Sequence, residues 1–190
     1  RHFANESRRE TTIPNTIIWT LDTDRWKNLW IGTDNGLSLL RQYNPFTYVP
    51  ICDMTGSGEG NCIHSLLTEP SGTMWIGGTN GLIRCSKGIA TLSSDVAGTA
   101  WYRSDSRQWP FAHNRVRKII RDSDGDIVVC TDKGVNIYNR TTRQFVNHVV
   151  YDRTGHYSTA WAYGVVDDGR GRYWIGSYMG GVFVIDKQRL

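Results

Sequence analysis

One segment recurs four times along this chain, and it restricts the fold more than any other feature. The segments are Leu29-Trp30-Ile31-Gly32-Thr33, Met74-Trp75-Ile76-Gly77-Gly78, Ile127-Val128-Val129-Cys130-Thr131 and Tyr173-Trp174-Ile175-Gly176-Ser177. Their second residues stand at 30, 75, 128 and 174, so successive copies lie 45, 53 and 46 residues apart. The register holds without gaps upstream of each anchor. Six residues before it is an acid: Asp24, Glu69, Asp122 or Asp168. Three before it is Gly72, Gly125 or Gly171, with Lys27 in the first copy. Nine before it is Leu21, Leu66, Ile119 or Val165, and twelve before it Ile18, Ile63, Val116 or Ala162.

Each part of the repeat has a local physical role. An acid followed by glycine makes a turn, because the carboxylate caps nearby backbone and glycine adopts positive φ without strain. The anchor strand follows. Asp34-Asn35-Gly36, Thr79-Asn80-Gly81, Asp132-Lys133-Gly134 and Tyr178-Met179-Gly180-Gly181 then supply a second tight turn. A third strand runs from Leu37, Leu82, Val135 or Val182. Weaker fourth strands are expected at Phe46–Val49, Ile89–Leu92 and Phe145–Val150. Four antiparallel strands repeated at periods in the forties define β-propeller blades.

The expected fold is therefore all-β: four blades of four-stranded antiparallel sheet, read as a fragment of a larger propeller of about seven blades. Residues 1–14 are assigned to the outer strand of a preceding or closing blade, because Arg1-His2-Phe3-Ala4-Asn5 is similar to Arg143-Gln144-Phe145-Val146-Asn147. Blade 1 is assigned to 15–50, blade 2 to 51–98, blade 3 to 99–152 and an incomplete blade 4 to 153–190. The absence of an initial Met leads us to expect that the natural start lies upstream. Trp30, Trp75 and Trp174 are read as core residues between blades, and Gly36, Gly81 and Gly134 as structural turn residues. The third copy, with Val128 and Cys130 in place of Trp and Gly, should pack differently.

Composition removes several function classes. The net charge of +4 is spread along the chain, with no basic stripe, so a nucleic-acid partner is not expected. No apolar run reaches membrane-spanning length, so no membrane contact is expected from this segment. The four cysteines form no CxxC pair, and neither a metal site nor a cofactor is expected. Cys85 and Cys130 lie in apolar strands, whereas Cys52 and Cys62 flank a glycine-rich loop that a disulfide can close in an oxidising compartment. The Asp122–Asp126 run has the look of a calcium loop, but it occupies a slot that is a plain turn in the other copies and lacks the EF-hand Glu. Gly56–Gly60 is followed by no helical pattern and is not a dinucleotide loop.

The pattern Ile-x-x-Leu-x-x-Asp-x-x-Gly-x-Leu-Trp-Ile-Gly-Thr-x-x-Gly-Leu resembles the two-component regulator propeller repeat over nearly the whole chain, with divergence in copy three. The resemblance implies the periplasmic sensor region of a hybrid two-component histidine kinase of Bacteroides-like bacteria. In that architecture two propellers precede an immunoglobulin-like domain, a membrane helix and the kinase. It further implies a non-catalytic module that recognises a glycan-derived oligosaccharide. Its partners would be the remaining blades and domains of the receptor and, for signalling, a second receptor copy in a homodimer.

Recognition is expected on the rim that carries the variable links. From Leu37 to Asn61 is 24 residues, from Leu82 to Asn114 is 32, and from Val135 to Thr159 is 24. Eleven residues before the anchor the copies carry Trp19, His64, Arg117 and Tyr163, and thirteen before it Ile17, Cys62, Arg115 and Trp161. Aromatic faces stack on sugars, and arginine pairs with hydroxyls or acidic groups. The candidate ligand residues are Trp19, His64, Arg115, Arg117, Trp161, Tyr163 and Tyr178. Residues at −12 and −9 are both apolar, which breaks a strict period of two and leaves a bulge or a twist between them. The aromatics Trp101, Tyr102, Trp109 and Phe111 of the long insert suit either a contact surface or a local mini-core. The competing functions are a propeller lyase or glycosidase and a pure protein-interaction propeller. An enzyme needs paired carboxylates, and only the turn residues Asp34 and Asp132 occupy the right rim.

Overall fold

The computed structural model describes residues 13–41, 47–49, 62–86 and 98–190. The chain divides into two compact units, Arg1–Trp101 and Tyr102–Leu190. In the first, β1 (Ile18–Thr23), β2 (Leu29–Thr33), β3 (Gly36–Leu40) and β4 (Thr47–Val49) form one sheet in sequence order. A second sheet contains β5 (Ile63–Thr68), β6 (Met74–Gly78), β7 (Gly81–Cys85) and β8 (Thr99–Tyr102). In the second unit, β9 (Val116–Arg121), β10 (Ile127–Thr131), β11 (Gly134–Asn139) and β12 (Gln144–His148) make a third sheet. The fourth consists, among the described residues, of β13 (Ala162–Asp167), β14 (Arg172–Ser177) and β15 (Gly181–Asp186). The architecture is four consecutive antiparallel blades.

One boundary differs from the expectation. The fourth strand of the second sheet is Thr99–Tyr102, so that blade runs past residue 98. The expected strand Ile89–Leu92 lies outside the described residues, as do Cys52 and the segment 1–12. Residues 99–102 alternate between half-buried and buried, as an outer strand with one covered face requires.

The acid of the repeat does two things at once. One Asp24 oxygen accepts the N–H groups of Trp26 and Asn28, which caps the turn, and the other accepts the Trp30 indole N–H at 3.2 Å. Glu69 takes the Trp75 indole at 2.8 Å, and Asp168 takes that of Trp174 at 3.5 Å. This explains why acid and tryptophan recur six residues apart: the acid that caps the turn also accepts the indole N–H, which the buried Trp30 and Trp75 require. In the third copy Val128 has no N–H to give. The freed Asp122 oxygen instead accepts the Tyr173 hydroxyl at 2.5 Å, from the fourth sheet, and the Lys187 ammonium at 3.2 Å, from the 3-10 turn that follows it. Lys187 also reaches Asp124 at 2.7 Å and Asp167 at 2.8 Å.

The turn glycines at −3 have φ of 87° (Gly72), 90° (Gly125) and 87° (Gly171), and Lys27 holds the same slot at 66°. Gly36, Gly81 and Gly134 likewise sit at positive φ. At Gly134 space matters as well, because a Cβ there would collide with the His148 carbonyl oxygen.

Each unit has a core between its two sheets. In the first, Trp30, Leu37 and Leu39 pack with Ile63, Leu66, Met74 and Ile76. In the second, Val128, Cys130 and Val135 pack with Ala162, Val165, Tyr173 and Ile175. Trp30 and Trp75 are buried, but Trp174 is 44% exposed, contrary to its reading as a core residue. The reason lies in the sheet: Val166 and Val184 flank Trp174 in register, and this face of β13–β15 is open in the second unit. Three of the insert aromatics form a cluster with β11 and β12, while Trp101 packs against the core of the first unit and donates its indole N–H to the Asn80 carbonyl at 2.8 Å. Tyr102 is fully buried within 5.5 Å of Trp109, 6.2 Å of Tyr138 and 5.1 Å of Phe145 (ring centroids). Phe111 joins Phe145 at 5.0 Å. Among the described residues no helix is long and apolar enough to cross a membrane.

Candidate functional site

The residue eleven before each anchor is a β-bulge in every copy. In β1, Ile18 pairs with Thr33 and Thr20 with Gly32, which leaves Trp19 out of the ladder. The same skip leaves out His64, Arg117 and Tyr163. A bulge inserts one residue and re-aims its side chain. It also accounts for the broken alternation between −12 and −9, because the extra residue shifts the face by one. Beside each bulge, the first residue of the second turn donates its N–H to the carbonyl at −13. These pairs are Asp34 to Ile17, Thr79 to Cys62, Asp132 to Arg115 and Tyr178 to Trp161. The backbone therefore gathers positions −13, −11 and +4 at the same corner of each blade.

In the first unit this corner is acidic and hydrogen-bonded. The Trp19 indole donates to Asp34 at 2.5 Å, and the Cys62 thiol donates to the same oxygen at 2.8 Å. These two donors, with the nearby His64, hold the Asp34 carboxyl below the ordinary carboxylate range. Trp19 meets His64 edge-on at 5.3 Å. Since Cys52 lies outside the described residues, its pairing with Cys62 stays an expectation.

In the second unit the corner is a column. The Arg117 guanidinium forks onto Asp132 at 2.6 and 2.9 Å and lies 4.2 Å over the Tyr163 ring. Tyr163 stacks on Tyr178 at 5.5 Å, and Tyr178 faces Trp161 at 5.3 Å. Arg115 approaches Asp132 at 3.8 Å with half its side chain exposed. Trp161, Tyr163 and Tyr178 are all strongly exposed. Each ring contact of this kind contributes roughly 0.5–1.5 kcal/mol, enough to order the rings before any ligand arrives.

Trp19 and His64 thus meet in one cluster, and Arg115, Arg117, Trp161, Tyr163 and Tyr178 in another. What the sequence did not reveal was the part played by Asp34 and Asp132 as acceptors for the bulged side chain. The signal was a donor at −11 paired with an acid at +4 in the same copy, as in Trp19 with Asp34 and Arg117 with Asp132. No group of three His, Cys, Asp or Glu side chains suited to a metal occurs among the described residues.

The fold and the repeat together define a β-propeller segment. Its full length matches the extracellular domain of BT4673 from B. thetaiotaomicron, described as a hybrid two-component or one-component system. The identity is 39% and the TM-score 0.69, and the match covers 100% of this chain and 25% of that one. A second extracellular domain, of the hybrid two-component system BT3049 from the same organism, matches 98% of this chain and 23% of its own, at 17% identity and TM-score 0.70. The WD40 propeller domain of Doa1 matches 92% of the chain at 15% identity and TM-score 0.61, a likeness of fold alone. The chain spans about a quarter of the two extracellular domains it matches. No protein-family model and no curated protein matches the sequence. The sequence resemblance to two-component regulator propellers and the solved structures agree on the kind of protein this chain is similar to: the extracellular propeller region of hybrid two-component systems.

Proposed function

We propose that the chain is part of the periplasmic, non-catalytic sensor region of a hybrid two-component regulator. It binds a glycan-derived oligosaccharide on the bulge rim and passes occupancy to a histidine kinase. The observation that carries this reading is the ordered, exposed column Trp161–Tyr178–Tyr163–Arg117. Such a surface offers flat apolar faces beside fixed hydrogen-bonding groups, which suits a sugar ring. The likeness to BT4673 supports a sensor rather than an enzyme. So does the state of the rim acids: Asp34 and Asp132 are each tied to donors of their own corner, unlike the spaced acid and base of a glycosidase. The open apolar face around Trp174 supports a further blade of the same repeat as its neighbour.

The test is calorimetry of the intact ectodomain against a panel of oligosaccharides, with products followed by chromatography. Binding without turnover is expected, and Trp161→Ala should weaken it about tenfold, the loss of one stacking contact. Product formation would reject the sensor reading in favour of a polysaccharide-active enzyme. An unchanged affinity in Trp161→Ala would remove the column from the site.

A further inference from the structure

The two rim corners differ in charge, and the difference carries information about the ligand. In the first unit the corner of Trp19, Asp34, Cys62 and His64 holds one carboxylate and no lysine or arginine. In the second unit the corner holds three cations, Arg115, Arg117 and Lys133, against the single carboxylate of Asp132. The three are not equivalent. Both bonding edges of Asp132 are taken by Arg117, whose ring-facing side rests on Tyr163. Arg117 is therefore committed to holding the column. Arg115 meets the same carboxylate only at 3.8 Å, beyond hydrogen-bond length, and keeps 49% of its side chain in solvent. Lys133 is exposed at the tip of the same turn.

Backbone bonds tie the turn that carries Asp132 and Lys133 to the segments that carry Arg115 and Trp161. The turn Asp132–Gly134 donates from Asp132 to the Arg115 carbonyl at 3.4 Å and from Gly134 to the Ala160 carbonyl at 2.7 Å. Arg115 and Ala160, the neighbour of Trp161, thus flank one rigid turn. A flat ring with an anionic substituent can lie on the exposed Trp161 while its anion meets the Arg115 fork. Arg is the side chain whose planar donor pair matches a carboxylate or sulfate.

We infer that this corner selects an acidic sugar, with Arg115 as the anion-reading residue, Lys133 as a supporting charge and Trp161 as the stacking surface. The inference rests on the glycan-sensing reading above and narrows it to one class of ligand. Carboxylate and sulfate share the chemistry, and the experiment separates them.

The intact ectodomain is titrated calorimetrically with three tetrasaccharides: tetragalacturonate, which carries carboxylates; a κ-carrageenan tetrasaccharide, which carries sulfate and no carboxylate; and neutral cellotetraose. One or both acidic probes should bind at least about tenfold tighter than the neutral one, and Arg115→Gln should weaken that binding roughly ten- to a hundredfold, the usual effect of losing a charge-assisted pair. Lys133→Gln should lower the salt dependence and weaken binding by a smaller factor. Because both side chains are solvent-exposed, the variants should keep the melting temperature of the parent, which a thermal scan checks. Equal or tighter binding of cellotetraose, or an Arg115→Gln variant as tight as the parent, overturns the inference and leaves glycan sensing standing. Failure of all three probes to bind, together with a failed wider panel, overturns both.

Discussion

Lys187 is the residue whose removal tests the packing logic of the second unit most directly. Its ammonium lies within 3.2 Å of Asp122, 2.8 Å of Asp167 and 2.7 Å of Asp124. The Asp122 and Asp167 side chains are 1% and 8% exposed, whereas Asp124 is 66% exposed and contributes little. Lys187→Met keeps the aliphatic stem and deletes the charge. Breaking a buried pair from one side typically costs about 3–5 kcal/mol. Here Asp122 keeps the Tyr173 hydroxyl and two backbone N–H groups, and Asp167 keeps those of Ser123 and Gly169. The expected loss is therefore about 2–3 kcal/mol near neutral pH. The pH dependence gives an internal check. Burial opposes ionisation of both aspartates, but the bonds from Tyr173, Asp126 and Lys187 outweigh it at Asp122, and those from Lys187 and Ser123 outweigh it at Asp167. Both carboxyls are thus held below their ordinary range. Their contribution is complete above the unfolded value of about 3.9 and is lost as pH falls through the folded values. Burial also opposes the Lys187 charge, yet its bonds to the aspartates raise its pKa, so its contribution is complete below about 10.4 and declines only as pH rises through the raised value. The gap between parent and variant in urea unfolding, followed by tryptophan fluorescence, should be flat from about pH 5 to 9, narrow measurably by about pH 3 and close only below the depressed folded values. A gap under about 0.5 kcal/mol at pH 7, or one unchanged at pH 3, would refute the reasoning.

Two further predictions concern the repeat itself. Trp75→Ala should cost about 3–5 kcal/mol, since the side chain is fully buried and its indole bonds Glu69, while Trp174→Ala should cost about 1 kcal/mol or less in this chain; urea midpoints of the two variants compare them. Lys27→Gly should stabilise by up to about 1 kcal/mol because it relieves a side chain at φ 66°, whereas Gly134→Ala should destabilise by more than about 1 kcal/mol through both φ 92° and the His148 carbonyl; thermal melts of the pair should shift in opposite directions.

What could be read from the sequence follows from how local each signal is. The turn acid, the −3 glycine and the anchor strand act within a dozen residues of one another, so they were visible as a pattern, and the strands fell where the pattern put them. The outer strand of the second blade was not visible, because Thr99–Tyr102 is separated from β7 by a long link and no periodicity ties it to the anchor. The exposure of Trp174 in this chain has a related cause: burial of an anchor depends on what covers its sheet, and that is not encoded in the anchor's own strand. At the rim, the types of residue were legible but not their grouping. A bulge is a three-dimensional fact, and only the skipped pairs at Trp19, His64, Arg117 and Tyr163 show why these positions escape the face that alternation assigns them.

The bulge also explains how one repeat can keep its fold while its rim varies. At −12 and −9 of the second to fourth copies the side chain is buried, and only apolar residues stand there: Ile63, Val116 and Ala162, then Leu66, Ile119 and Val165, whereas Ile18 and Leu21 of the first copy are exposed. At −11 the side chain leaves the ladder; Trp19 and Arg117 bond the +4 acid of their own turn, and each also meets the bulge residue of the neighbouring blade within its unit. Four chemically unrelated residues occupy it without disturbing the hydrogen bond from +4 to −13, which is backbone to backbone and indifferent to side chain. The fold is thus insulated from substitution at −11, −13 and +4, the positions where a change of side chain costs the scaffold least. Tryptophan with aspartate at one corner, and arginine with aspartate against a tyrosine pair at another, are two solutions built on the same backbone frame.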